Sequence, residues 1–207
     1  MNAYELFSHS LHCAEDKVAL ISGMNKGRTV ITYGQLDSHV NRIAMQFLEH
    51  GLKAGDRVLL AVPMSVETYA AMLALLKCGM VTMFIEPAHS ASQVSRILKS
   101  WPPVAIVATR SILLLRFLAP ELRRIPRRFV VSGRSTGAVE LDMHGEDCQR
   151  VTMQPRSAAD SALLSFTSGS TGEPKPVFRT HGFLRQQMRA LNQIANTNPA
   201  DIDFVAM

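Results

Sequence analysis

Residues 56–85 read DRVLLAVPMSVETYAAMLALLKCGMVTMFI, and their pattern decides the fold. Asp56 to Val62 carries a continuous apolar run that stops at Pro63, as a strand buried on both faces would. Ser65 stands where a helix N-cap belongs, and Tyr69, Leu73 and Leu76 recur at helical spacing as far as Gly79. A second apolar strand, Val81–Ile85, follows at once. Strand, helix and strand in this order make a right-handed βαβ crossover, which pairs the strands in parallel.

The same alternation extends in both directions. Upstream, Tyr4, Phe7 and Leu11 share one side of a short helix over 3–13, and Val18–Ser22 with Thr29–Tyr33 reads as a hairpin around a glycine-bounded turn. Thr32 and Gln35 have capping-box spacing, and Leu36, Val40, Ile43, Phe47 and Leu48 then mark one helical face until Gly51. Downstream come a helix over 91–100, a strand Val104–Ala108, a helix within 109–123 and a strand Phe129–Ser132. Residues 133–158, rich in polar residues and glycine, read as a surface excursion. The predicted class is α/β: a mostly parallel sheet with helices on both faces.

Composition agrees with a globular domain. The 207 residues are 47% hydrophobic and 19% charged, enough for a sizeable core and too apolar for disorder. The net charge of +5 is concentrated around Arg110–Arg134. The stretch 110–128 could lie on an anionic membrane, but a helix with one buried face and one solvated arginine face is the more economical reading. No aromatic platform accompanies these arginines, which argues against nucleic acid. Cys13, Cys78 and Cys148 are widely spaced, signal neither a disulfide framework nor a zinc site, and suit a reducing cytoplasm. His9, His12 and Cys13 lack a fourth ligand, so no metal site is assigned. The N-terminus lacks the basic end and apolar run of a secretory signal, and no segment reaches the ~20 apolar residues of a membrane span.

The chemistry-bearing stretch is 163–182, LLSFTSGSTGEPKPVFRTHG. Thr167, Ser168, Gly169, Ser170, Thr171 and Gly172 combine hydroxyl donors with two residues that accept positive φ, so side-chain and backbone donors can converge on an anion. Lys175 adds a compact cation. A flexible linker of similar composition would join separate units, whereas this loop lies directly between two strand-like runs. No Walker A string, G-x-x-x-x-G-K-[ST], occurs in the chain.

TSGSTGEPKPV resembles the phosphate-binding signature TSG-[ST]-TG-x-PKGV of the adenylate-forming enzymes: acyl-CoA synthetases, luciferases and peptide-synthetase adenylation domains. One position departs, Pro176 standing where the family has glycine, which should stiffen the loop and restrain Lys175. ITYGQLDSHVNRIAMQFLEHG and LLKCGMVTMFIEP are similar to the family's first two core motifs, so the resemblance spans about residues 28–190. Residues 110–128 show a weaker similarity to bacterial olefin-pathway β-lactone synthetases.

The resemblance implies an ATP-dependent ligase with Mg²⁺, in which a carboxylic acid, of the fatty or β-hydroxy type, attacks the α-phosphate of ATP. The acyl-adenylate then passes to CoA or another acceptor. Residues Thr167 to Gly172 and Lys175 would hold the β- and γ-phosphates, and no catalytic residue is implied in this chain. His181, after Thr180, matches a pair the family often shows; it reads equally as a cap for a helix over about 183–195. The family's later motifs, for adenine, ribose, metal and hinge, have no counterpart here. Residues 1–207 are therefore expected to be the N-terminal part of an AMP-binding domain, with its phosphate loop at 167–175. Such a part is either completed by a longer product or complementing chain, or is a non-catalytic remnant or phosphate-binding module.

Overall fold

The computed structural model describes residues 2–22, 29–115, 119–131, 133–143, 150–168 and 173–195. The chain runs α1 (Glu5–Cys13), β1 (Val18–Ser22), β2 (Thr29–Thr32), α2 (Tyr33–Glu49), β3 (Arg57–Ala61), α3 (Val66–Lys77), β4 (Val81–Met83), α4 (Ala91–Ser100) and β5 (Ala105–Thr109). Two short helices follow, α5 (Arg110–Leu114) and α6 (Pro120–Arg124), then β6 (Arg127–Val131), β7 (Val139–Glu140), β8 (Ser161–Ser168), β9 (Pro174–Thr180) and α7 (His181–Ala195).

The expected βαβ unit is present, with β3 and β4 parallel and Leu59 opposite Met83. Ser65 caps α3 through its hydroxyl, which accepts from the Thr68 amide. Ala70, Ala71, Leu73, Ala74, Leu75 and Leu76 are all buried, so α3 is enclosed nearly all round. Burying each leucine contributes about 2 kcal/mol. Gly79 ends the helix at φ 68°, while the Met80 amide closes back on the Leu75 carbonyl at 2.9 Å.

Helix α2 begins with the full capping box: Thr32 Oγ1 accepts from the Gln35 amide and Gln35 Oε1 accepts from the Thr32 amide. Its buried face holds Leu36, Val40, Ile43, Ala44 and Phe47, whereas Leu48 turns to solvent one position beyond the stripe. In α1, Tyr4 before its first turn and Leu11 are buried, but Phe7 is exposed.

Among the described residues seven strands form one sheet in the order β7-β6-β5-β3-β4-β8-β9, all neighbours parallel except the last pair; β1 and β2 form a separate antiparallel ribbon. One core packs α2 and α3 on the first face, and a second packs Ile97, Leu98, Leu113 and Ile125 from α4, α5 and the end of α6 on the other. The helix expected within 109–123 is thus two short ones, with 116–118 between them outside the described residues. Arg127 and Arg128, from the basic stretch, donate to the carbonyls of His50 (2.7 Å) and Arg123 (2.6 Å), at the ends of α2 and α6.

The segment 133–158 is more than an excursion. Val139–Glu140 adds an edge strand, Leu141 is buried, and the amides of Val151 and Gln154 donate to Asn41 Oδ1 and the Lys77 carbonyl. Asn41, Asp37, Tyr4 and Lys77 form a buried polar cluster beneath it: Lys77 Nζ lies 2.7 Å from Asn41 Oδ1 and 3.9 Å from Asp37, and the Tyr4 hydroxyl donates to Asp37 at 3.2 Å. Burial, followed by the Asp37 charge, raises the Tyr4 phenol above its ordinary range, so it stays a donor. Among the described residues no helix is long and apolar enough to cross a membrane.

Candidate functional site

The strand order sets the position of the site. β3 lies in the middle, the chain crosses to β4 on one side and then to β5 on the other, and β8 joins beside β4. Open α/β sheets bind ligands beyond the carboxyl ends of their strands at such a reversal. β8 is parallel to β4 and runs past it, from Leu164 opposite Met83 to Ser168. The candidate loop therefore leaves the sheet at the carboxyl edge. A shallow cleft lined by His50, Arg127, Phe129 and Val139 lies at the start of β6, the other end of the strands.

The antiparallel pairing of β8 with β9 places Thr167 opposite Lys175, Ser168 opposite Pro174, and Phe166 opposite Pro176. Both Thr167 and Lys175 are exposed. Gly169, Ser170, Thr171 and Gly172 lie outside the described residues, as does the Ser168 side chain. Lys175 and Pro176 belong to a strand rather than to the loop. Among the described residues β9 is the outermost strand, where a proline without an N–H is tolerated.

Strand alternation divides the hairpin into two faces. On one, Phe166 and Leu164 enter the second core, and Phe178 meets Trp101 edge-to-face at 5.2 Å between centroids. On the other stand Thr167, Lys175 and Ser165, whose hydroxyl accepts from Arg179 Nη1 at 3.0 Å. Helix α4, opened by a Ser90–Gln93 capping box, brings Arg96 to Glu173, with Nη1 2.5 Å from Oε1. Sequence reading did not find Arg96; 77 positions separate it from Glu173, and an amphipathic helix gives no sign of which exposed arginine meets a distant carboxylate.

Beyond β9, Thr180 caps α7 by accepting from the Phe183 amide at 3.1 Å. His181, read from sequence as a possible cap, is instead fully buried, and its Nδ1 accepts the Ala3 amide at 3.0 Å. The proton is therefore on Nε2, which has no protein hydrogen-bond partner. Burial, then the Arg156 guanidinium, holds this imidazole down at about 4 against an opposing pull from Asp160. His181 acts as a neutral packing residue that ties α7 to the N-terminal segment.

Among the described residues no group of three or more His, Cys, Asp or Glu side chains is placed to hold a metal ion. The hairpin presents hydroxyls and a lysine, groups suited to an anion.

The family model for AMP-binding enzymes matches residues 7–206. This chain belongs to that family. It is 28% identical over 189 residues to an olefin beta-lactone synthetase of Xanthomonas campestris pv. campestris, a match covering 88% of this chain and 34% of that protein. It is also 28% identical over 212 residues to a medium/long-chain-fatty-acid–CoA/3-oxocholest-4-en-26-oate–CoA ligase of Mycolicibacterium smegmatis, covering 99% of this chain and 38% of the ligase. Among solved structures, the anthranilate CoA ligase AuaEII in complex with anthranoyl-AMP superimposes with a TM-score of 0.76 at 18% identity, over 94% of this chain and 36% of the ligase. The chain thus spans little more than a third of the length of these adenylate-forming proteins, and their shared fold is the α/β arrangement described above.

Proposed function

We propose that this chain forms the N-terminal, phosphate-binding part of an ATP-dependent acyl-activating ligase, residues 1–207 supplying a portion of its AMP-binding domain. The observation that carries this reading is the β8–β9 hairpin, which sets Thr167 opposite Lys175 at the carboxyl edge of the parallel sheet, inside a sequence that belongs to the AMP-binding enzymes. In the proposed reaction the carboxylate of the substrate attacks the α-phosphate of ATP and pyrophosphate leaves. Thr167 to Gly172 and Lys175 hold the β- and γ-phosphates. Their charge neutralisation lowers the repulsion between carboxylate and polyphosphate and stabilises charge gathering on the leaving oxygens. Mg²⁺ would supply further neutralisation, but the described residues include no group of acids to hold it, so no role is assigned to them in binding it.

A fatty or β-hydroxy fatty acid is the proposed substrate and CoA or another nucleophile the acceptor, in a cytoplasmic setting; the name of the Mycolicibacterium smegmatis ligase supports a fatty acid and CoA. The remainder of the fold, on a longer polypeptide or a complementing chain, is proposed to cover α7. Its stripe starts at Leu184, which packs on the first core, and continues through Met188, Leu191 and Ile194, exposed by 38%, 52% and 82%. An amphipathic helix that leaves its apolar face in water lacks the packing that normally stabilises it.

Acid-dependent ATP–pyrophosphate exchange by the native polypeptide, with a panel of acids, tests the reading. The intact mass of that polypeptide, with peptide coverage across Met207, fixes what is assayed. Exchange that depends on a medium- or long-chain acid and falls by orders of magnitude in Lys175→Ala is expected. Exchange absent with every acid, in a protein that still binds ATP, would favour a non-catalytic phosphate-binding module.

A further inference from the structure

Arg96 and Glu173 stand apart from everything the phosphate-binding reading uses. Glu173 precedes β9 by one residue and Lys175 by two, so a carboxylate lies beside the region assigned to a polyanion. Left alone it would oppose phosphate binding. Arg96 reaches it from α4, which packs on the Phe178 face of the hairpin, while Lys175 projects from the opposite face. Two cations therefore flank the end of the hairpin from its two sides, one of them held by a carboxylate.

The ion pair is weakly anchored. Its side chains are exposed by 54% and 65%, and solvated pairs of this kind are worth only about 0–1 kcal/mol, little enough for a polyphosphate to displace. A guanidinium moreover binds phosphate oxygens in bidentate geometry, as it does carboxylates.

We infer that Arg96 is a second phosphate-binding cation, held by Glu173 when the site is empty and transferred to the polyphosphate when ATP binds. This rests on the phosphate-binding reading of the hairpin and adds a residue to it. Glu173 then acts as an internal competitor: it places the guanidinium near the site and lowers affinity by occupying it.

The role separates from a merely structural ion pair because the two partners have opposed effects. Binding of inorganic tripolyphosphate to the 207-residue chain is measured by calorimetry at low ionic strength without added metal. Trp101, the single tryptophan, packs on Phe178 and reports by its fluorescence that α4 and β9 stay together in each variant. Arg96→Ala is expected to weaken binding about fivefold, because it removes the guanidinium's charge-assisted hydrogen bonds to the anion. Glu173→Gln is expected to tighten binding about threefold, because it frees the guanidinium for the anion. The opposed shifts are expected with ATP as well; their appearance with tripolyphosphate alone would overturn the assignment to the nucleotide. Shifts in the same direction, or none, while Lys175→Ala still weakens binding, would overturn the role of Arg96 and leave the hairpin reading standing. No binding by the wild-type chain would overturn both.

Discussion

His181 Nδ1 accepts the amide N–H of Ala3 at 3.0 Å, although 178 positions separate the two residues. This bond fastens the N-terminal segment to the first residue of α7, just beyond the hairpin that carries Lys175. It requires a neutral imidazole, because protonation of Nδ1 would turn the acceptor into a donor facing another donor.

The pH dependence follows from that requirement. The imidazole titrates near 6.5 in the unfolded chain and at about 4 when buried, so between these values the unfolded state binds the extra proton. This contribution to stability is complete above pH 6.5 and is lost as pH falls towards 4. At pH 5 the loss is on the order of 2 kcal/mol. Urea unfolding at about pH 7 and pH 5 checks this: His181→Gln, which offers an acceptor that does not titrate, should show a smaller difference between the two conditions than wild type.

Asp37 has partners of unequal worth. Lys77 beside it is 3% exposed, whereas the side chain of Arg150, 3.3 Å away, is 59% exposed. Asp37→Ala removes the carboxylate from a buried ammonium and should cost about 3–5 kcal/mol. Arg150→Ala removes a solvated partner and should cost less than about 1 kcal/mol. Urea midpoints of the two variants test the ordering, and equal losses would show that Lys77 does not depend on Asp37.

Gly79 and Gly55 both have positive φ, 68° and 87°, but different surroundings. A Cβ on Gly79 would come within 2.7 Å of Arg156 Cδ, and one on Gly55 would meet nothing within 4 Å. Gly55→Ala should cost the left-handed backbone penalty of about 1–2 kcal/mol. Gly79→Ala should cost more, because Arg156 must also shift. Thermal denaturation of both variants measures the difference.

Much of this architecture was legible in the sequence because local signals and hydrophobic period agreed. Helix 91–100, the Thr32–Gln35 box, the Ser65 cap and the Gly79 stop all stand where the pattern placed them. The failures share a cause, which is that the deciding partner is distant. β7 is two residues long, too short for a period, and exists because β6 offers an edge. Residues 150–154 look like loop until Asn41 and Lys77 provide buried partners for their amides. His181 reads from sequence as a family pair or a helix cap, yet its Nδ1 accepts the distant Ala3 amide. In the candidate site, Thr167 and Lys175, singled out by their motif, pair across the hairpin, whereas Arg96 approaches Glu173 from a helix whose sequence carries no sign of it.

The β8–β9 hairpin that carries Lys175 is proposed to hold a polyphosphate, and ATP binding by wild type and Lys175→Ala tests this most directly. Lys175 is exposed on β9, the outermost strand among the described residues, so its replacement should leave unfolding by urea unchanged. Calorimetric titration should show saturable binding to wild type, weakened about tenfold or more in Lys175→Ala, consistent with removal of a charge-assisted hydrogen bond to phosphate. Equal affinities for the two proteins, with both fully folded, would contradict the account.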